Sequence, residues 1–239
     1  YIFRSPGMRF DLPEIAAAVK GGSILTSEME SFFDVCPAKI IAVTGSDGKT
    51  TTTTLIYKIL CDAGYSCFLG GNIGEPLLNR TEAMDSDDIV VIELSSFQLH
   101  TMRKSPDIAV ITNLSPNHLD IHKSYEEYIF AKTNILAHQD INGLLILNYD
   151  NADTAALSES AIGTLRRFSK EKPEFVHLEG DNIVCSGEEI VDINDILIPG
   201  MHNVENYMAA IAAVWDFVKP ENIRNVATSF GGVEHRIEL

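Results

Sequence analysis

Residues 40–55 read IIAVTGSDGKTTTTTL, and the order of residue types in this stretch decides the fold. An apolar, β-branched run (Ile40, Ile41, Val43) breaks at Gly45, passes through Ser46-Asp47-Gly48 and meets Lys49 and Thr50. Helix-compatible residues follow from Thr51 to Ala63. The pattern predicts a buried strand, a tight glycine turn and a helix N-terminus. Such a turn directs backbone N–H groups at one spot, with the positive end of the helix dipole behind them. A lysine and a hydroxyl at its tip suit a phosphate and its Mg²⁺. Gly45, Ser46, Asp47, Gly48, Lys49, Thr50 and Thr51 are therefore the phosphate-binding candidates. Val43 stands where the standard phosphate loop has its first glycine, so the motif is the shorter T-G-x-x-G-K-T form.

Outward from this stretch, continuous apolar strands are expected at 39–44, 66–69, 88–94, 107–112 and 143–148. Helices fill the gaps at 51–64, 95–102, 124–137 and 152–160. Buried strands alternating with helices imply an α/β fold, a mostly parallel sheet flanked by helices. Beyond Leu165 short apolar pieces at 175–178, 183–185 and 189–191 read as a small antiparallel appendage, followed by helices at 203–218 and 221–230. Before Cys36-Pro37, a plausible boundary, the chain offers about one and a half βα units: helices at 12–19 and 28–33, and short strands near 1–3 and 23–25.

The chain has 239 residues, 45% apolar and 22% charged, as in ordinary globular proteins. Its formal net charge of -16 repels nucleic acid and anionic membrane, so neither is expected as a partner. The four cysteines show no CxxC spacing and read as free thiols of a reducing compartment, giving a cytoplasmic expectation. The chain opens at Tyr1 and reads as a fragment of something longer.

Ligands of such sheets bind outside the carboxyl ends of the strands. Glu93 ends the strand at 88–94, where it either faces water or joins the Thr50 hydroxyl around a hard cation. His118 and Asp120 follow the strand at 107–112 and share that crevice. Ser124-Tyr-Glu-Glu127 has capping-box spacing, and on the helix it starts Lys132 falls among Tyr125, Tyr128, Ile129, Ile135 and Leu136. Either the Lys132 ammonium snorkels to solvent, or burial lowers its pKa. A neutral amine can take up CO₂ as a carbamate and offer an anionic oxygen to a second metal. Gly70-Gly-Asn72-Ile-Gly74 is not a dinucleotide fingerprint. Asn203 and Asn206 share one helical face and either cap the helix or contact a base. Arg236, near the chain end, offers a fixed cation to a nucleotide.

Ser5-Pro-Gly7, TGSDGKTT (44–51), GGNIG (70–74), ELSSFQL (93–99), NLSPNHLD (113–120), AKTNI (131–135), HNVEN (202–206) and HR (235–236) occur in this order. With them the chain resembles the ATP-dependent muramyl ligases of peptidoglycan synthesis, and among these the members that add D-glutamate. The resemblance implies ATP with two Mg²⁺ ions, and as substrates UDP-N-acetylmuramoyl-L-alanine and D-glutamate, in a monomer. It implies an acyl phosphate that the amine of D-glutamate displaces. Lys49, His118 and Lys132 would be catalytic. Thr50 and Glu93 would hold one metal, His118 and carbamylated Lys132 the other. Gly7, Asn72 and His118 would meet the UDP substrate, and Asn203, Asn206 and Arg236 the nucleotide. Residues 1–36 would end a UDP-substrate domain and 37–239 form the ATP-binding domain, with a C-terminal amino-acid domain lying beyond Leu239.

Overall fold

The computed structural model describes residues 1–5, 7–9, 11–116 and 122–233. It opens with β1 (Ile2–Phe3), α1 (Pro13–Lys20), β2 (Leu25–Thr26) and α2 (Glu28–Val35). The expected βαβ core follows as β3 (Lys39–Thr44), α3 (Lys49–Asp62), β4 (Cys67–Gly71), β5 (Ile89–Glu93), α4 (Ser96–Leu99), β6 (Ile108–Ile111), α5 (Tyr125–Thr133), β7 (Leu144–Asn148) and α6 (Ala152–Ala156). The chain continues through β8 (Thr164–Ser169), β9 (Val176–Glu179), β10 (Asn182–Cys185), β11 (Glu188–Asp192), α7 (Met201–Val214) and α8 (Pro220–Ser229).

Nine of these strands form one sheet, in the order β11-β10-β9-β8-β7-β6-β3-β5-β4. From β4 to β9 every pairing is parallel, and only β9-β10-β11 is antiparallel. The antiparallel pieces are therefore an extension of the main sheet rather than an appendage beside it. The join is β8, a strand the apolar-run criterion does not find. β9 begins beside the end of β8 (Phe168↔Val176), so a short loop joins two parallel strands without a crossover helix.

Period-two alternation sends side chains of the central strands to opposite faces, and both faces are covered. Ile41, Val43, Val91 and Val110 pack under α3, α7 and α8 through Leu55, Ile59, Met208, Ile211 and Ile223. Ile40, Ala42, Val90, Ile92 and Ile111 pack on the other side against Phe32 of α2, Leu99 of α4, and Ile135 and Leu136 after α5. β1 and β2 form a separate parallel pair, yet Phe32 is fully buried in the central core. Residues 1–36 are thus anchored to the main sheet across the Cys36-Pro37 boundary.

Several helices are shorter than the sequence suggests. α4 stops at Leu99 because the Asn134 amide donates to the Leu99 and His100 carbonyls, at 3.0 and 3.2 Å. α5 tightens after Thr133, where Ile135 and Leu136 donate to carbonyls three residues back. α7 likewise runs 201–214 rather than 203–218, closing with a turn from Phe217 N–H to Val214.

The strand order fixes where a ligand can sit. The chain leaves β3 for the edge at β4, returns to β5 beside β3, and then moves to β6 on the other side. A crevice opens at that reversal, at the carboxyl ends.

Candidate active site

The 45–48 turn closes the crevice at the end of β3. Gly48 caps α3 with φ of 77°, a conformation that side chains other than glycine rarely adopt. A Cβ at Gly48 would also overlap Asn206 Oδ1, and one at Gly45 would overlap Thr112 Oγ1. Both glycines are thus required by close approach of other elements. The turn is further pinned by β6: Asn113 Oδ1 accepts from Asp47 N–H at 2.9 Å, and Thr112 Oγ1 donates to the Asp47 carbonyl at 2.6 Å. Ser46 Oγ lies 3.0 Å from the Tyr128 hydroxyl and accepts from Ser115 N–H at 2.9 Å. The first-turn N–H groups of a helix have no acceptor inside the helix, so this turn presents donors suited to an anion.

Lys49 opens α3 half-buried, its Nζ donating to the Ser46 carbonyl at 3.0 Å. It folds back over the loop rather than projecting into solvent. Thr50 faces β5, where the parallel register sets Val43 beside Glu93. The Thr50 hydroxyl donates to Glu93 Oε2 at 2.7 Å, and Asn72 Nδ2 donates to Glu93 Oε1 at 2.9 Å. Glu93 is 2% exposed and does not face open water. A hydroxyl and a carboxylate in contact beside a phosphate cradle match the all-oxygen donor set of Mg²⁺.

Lys132 is also 2% exposed, and its ammonium does not snorkel. Its Nζ donates to the Gly45 carbonyl at 2.7 Å, reaches Thr44 Oγ1 at 3.4 Å, and lies 4.7 Å from the Tyr128 ring centroid. Desolvation, with the neighbouring Lys49 charge adding to it, lowers this amine to about 7, while Glu93 and Asp47 act in the opposite sense. The residue that the α5 pattern places among apolar side chains thus packs beneath the 45–48 turn.

On the other flank Asn206 Oδ1 accepts from Thr52 Oγ1 at 3.3 Å, its Nδ2 donates to Asn203 Oδ1 at 3.2 Å, and Asn203 Nδ2 donates to the Pro199 carbonyl at 2.7 Å. Neither asparagine side chain caps α7. Both line a cavity of about 690 Å³ together with Ser46, Asp47, Gly48, Thr51, Asn113, Asn148, Phe168 and Glu205. That volume lies within the range of small-molecule sites. Thr112, Asn113, Tyr128, Asn148 and Phe168 are site residues not singled out from the sequence. Four of them sit at or just beyond the carboxyl ends of β6, β7 and β8, the one signal that could have found them.

A second pocket of about 270 Å³ lies between the two sheets, lined by Arg4, Ser5, Ser27, Gly71, Gly74 and Gln98 among others. Gly7 lies in the exposed turn after Ser5, outside that lining, and Asn72 faces Glu93 instead. His118, Asp120 and Arg236 lie outside the described residues, so their expected places in the crevice are not among the contacts above.

Residues 43–214 match the Mur ligase middle domain. The whole chain is 57% identical to the UDP-N-acetylmuramoylalanine–D-glutamate ligase of Acetivibrio thermocellus and 55% identical to that of Ruminiclostridium cellulolyticum, covering 52% of each protein. The chain thus spans about half the length of the curated relatives it matches. Among solved structures it is similar to MurF from Acinetobacter baumannii, with a TM-score of 0.72 at 19% identity over 99% of this chain and 61% of that one. A UDP-N-acetylmuramoyl-L-alanyl-D-glutamate–2,6-diaminopimelate ligase gives a TM-score of 0.71 at 21% identity over 93% and 58%. At these identities the solved structures speak for the fold alone.

Proposed function

The chain belongs to the Mur ligase family, carrying its middle domain over residues 43–214, and from that premise we propose that it is the ATP-binding part of a D-glutamate-adding amide ligase. The observation that carries the reading is the Thr50–Glu93 pair, 2.7 Å apart beside the Gly45–Gly48 turn and its nucleotide-sized cavity. The 57% identity to a ligase named for D-glutamate favours that amino acid over those of sibling enzymes.

In this proposal ATP lies with its phosphates on the 45–51 turn and its base toward Asn203 and Asn206. Thr50 and Glu93 would hold Mg²⁺, with Asn72 orienting the carboxylate, and the bound ion would supply positive charge to the phosphate oxygens. Lys49 supplies a fixed cation to the γ-phosphoryl group as it transfers. The carboxylate of UDP-N-acetylmuramoyl-L-alanine attacks the γ-phosphorus and ADP leaves. The amine of D-glutamate then attacks the acyl carbon, inorganic phosphate leaves, and the nitrogen gives up one proton to solvent or to that phosphate.

We also assign to Lys132 the carbamate that the second metal requires. The amine nitrogen bonds to CO₂ and releases one proton to solvent. The remaining N–H can still donate to the Gly45 carbonyl, so the change keeps the contact that now holds Nζ. His118 would complete that second metal set and meet the substrate, and Arg236 the nucleotide. Residues 1–36 belong in this reading to the UDP-substrate side, with Gly7 in the turn beside the pocket that Arg4 and Ser5 line. Tyr1, Phe3, Leu12, Val19 and Ile24 of that segment are exposed apolar side chains that a larger domain would cover. The reading places the enzyme in the cytoplasm as a monomer; among the described residues no helix is long and apolar enough to cross a membrane.

The test is phosphate release and amide formation by the full-length protein with ATP, Mg²⁺, UDP-N-acetylmuramoyl-L-alanine and each candidate amino acid. D-Glutamate should be the acceptor. Turnover with another amino acid would reassign the specificity, and nucleotide binding without turnover would leave only a binding module.

A further inference from the structure

Outside the nucleotide cavity, where the end of α4 meets the start of α5, His100, His122 and Glu127 bring one ligand atom each within 4.8 Å of one another. Among the described residues no other group of three histidine, cysteine or carboxylate side chains converges in this way. His100 Nε2 lies 3.2 Å and His122 Nδ1 3.7 Å from the same oxygen, Glu127 Oε1. Tetrahedral coordination with bonds near 2.0–2.1 Å sets ligand atoms about 3.4 Å apart. The two measured separations bracket that value.

Two of the three side chains are held in place by other groups. His122 is 4% exposed, and its Nε2 lies 2.9 Å from Ser96 Oγ. Its ring stacks on Phe97 at 5.3 Å and 10°, and the Tyr128 ring meets its edge at 5.3 Å and 74°. With the Nε2 proton donated to Ser96, the Nδ1 lone pair faces Glu127, the outer-shell arrangement that orients histidine on metals. Glu127 is oriented by the Lys123 N–H, which donates to Oε2 at 3.3 Å. The His100 and Glu127 side chains retain 12% and 21% exposure, which leaves an entry side.

We propose that His100, His122 and Glu127 form a zinc-class cation site, separate from the Thr50–Glu93 pair, that clamps α4 to the start of α5. Two imidazoles and one carboxylate suit Zn²⁺ and not Mg²⁺, which prefers oxygen alone. The clamp has a structural target, because α5 carries both Tyr128, which meets Ser46, and Lys132, which meets Gly45. The inference stands whether or not the ligase reading holds, since none of the three residues has a role in it.

The experiment is zinc titration of chelator-stripped protein against a competing chromophoric chelator, with Co²⁺ as the spectroscopic probe. Wild type should bind a single zinc at least about tenfold tighter than His100→Gln or Glu127→Gln, the scale on which a lost partner weakens a metal site. Glu93→Gln should leave zinc affinity unchanged. The Co²⁺ form should show the intense visible bands of a low-coordinate nitrogen and oxygen site, without the near-ultraviolet band of thiolate ligation by the exposed Cys61. Zinc affinity equal in wild type and both variants, a thiolate band, weak octahedral bands, or loss of binding in Glu93→Gln alone would each overturn the site. Should a variant fail to fold, the wild-type Co²⁺ spectrum decides.

Discussion

Lys132→Met exchanges the buried amine for an apolar side chain and keeps the stem, which makes the charge at this position measurable. Desolvation lowers the folded-state amine from 10.5 to about 7. Below pH 7 both folded and unfolded chains carry the proton. Between about 7 and 10.5 the unfolded chain keeps it and the folded chain has lost it, so the unfolded state binds more protons and stability rises with pH. Integrated from pH 6 to pH 9, Lys132 should add roughly 2–3 kcal/mol of stability that the methionine variant lacks. In a chain of this size that is a relative change of roughly 5–10 °C in melting temperature. The assay is denaturant unfolding of both proteins at several pH values in CO₂-free buffer, because a carbamate would replace the amine. All other titrating groups are common to both proteins, so the difference between their curves isolates Lys132. Parallel profiles across this range would show that Nζ is solvated and that its packing against Gly45 and Tyr128 is not as described.

Lys49→Ala in the full-length protein should leave folding intact and lower turnover by about 10²–10³, the scale for losing one preorganised donor to developing charge; circular dichroism with a phosphate-release assay checks both halves. Thr50→Val removes the hydroxyl that contacts Glu93 and should raise the Mg²⁺ concentration required for half-maximal activity, while Tm moves little. Gly48→Ala should destabilise by roughly 2–4 kcal/mol, combining left-handed backbone strain of about 1–2 kcal/mol with displacement of Asn206. Because Asn206 also lines the cavity, the same variant should weaken nucleotide binding by calorimetry. Unchanged stability and affinity would show that the turn relaxes freely.

The parallel core was legible because its strands are continuous apolar runs with helix-forming stretches between them. β8 was not, because Thr164-Leu-Arg-Arg-Phe-Ser169 has two adjacent charges where a central strand should be apolar. Both charges are satisfied from elsewhere in the chain. Arg166 donates to the Ala212 carbonyl and to both oxygens of Asp216, and its guanidinium lies 4.5 Å from the Phe175 ring centroid. Arg167 donates to Glu174 and stacks over Tyr149. Those partners lie between 7 and 50 residues away, and their pairing with the two arginines depends on the fold rather than on the spacing within β8. Missing β8 also concealed the continuity between the parallel sheet and the antiparallel strands.

The site divides along the same line. Gly45 to Thr51 were legible since strand, glycines, lysine, hydroxyl and helix follow one another in a single stretch. Glu93 needed one further step, the rule that ligands gather at strand carboxyl ends, and the β3–β5 pairing then sets it against Thr50. What spacing left open was the environment of Lys132. An amine among apolar neighbours on a helix can reach water or a carbonyl equally well, and the choice depends on what packs over α5. Here the 45–48 turn itself covers it, with the Gly45 carbonyl as acceptor, and its desolvation therefore depends on that contact. A protein that opens this loop should regain an ordinary lysine at position 132. Burial beneath the turn favours the neutral amine, whereas negative charge brought onto the turn would act with Glu93 and Asp47 towards the ammonium.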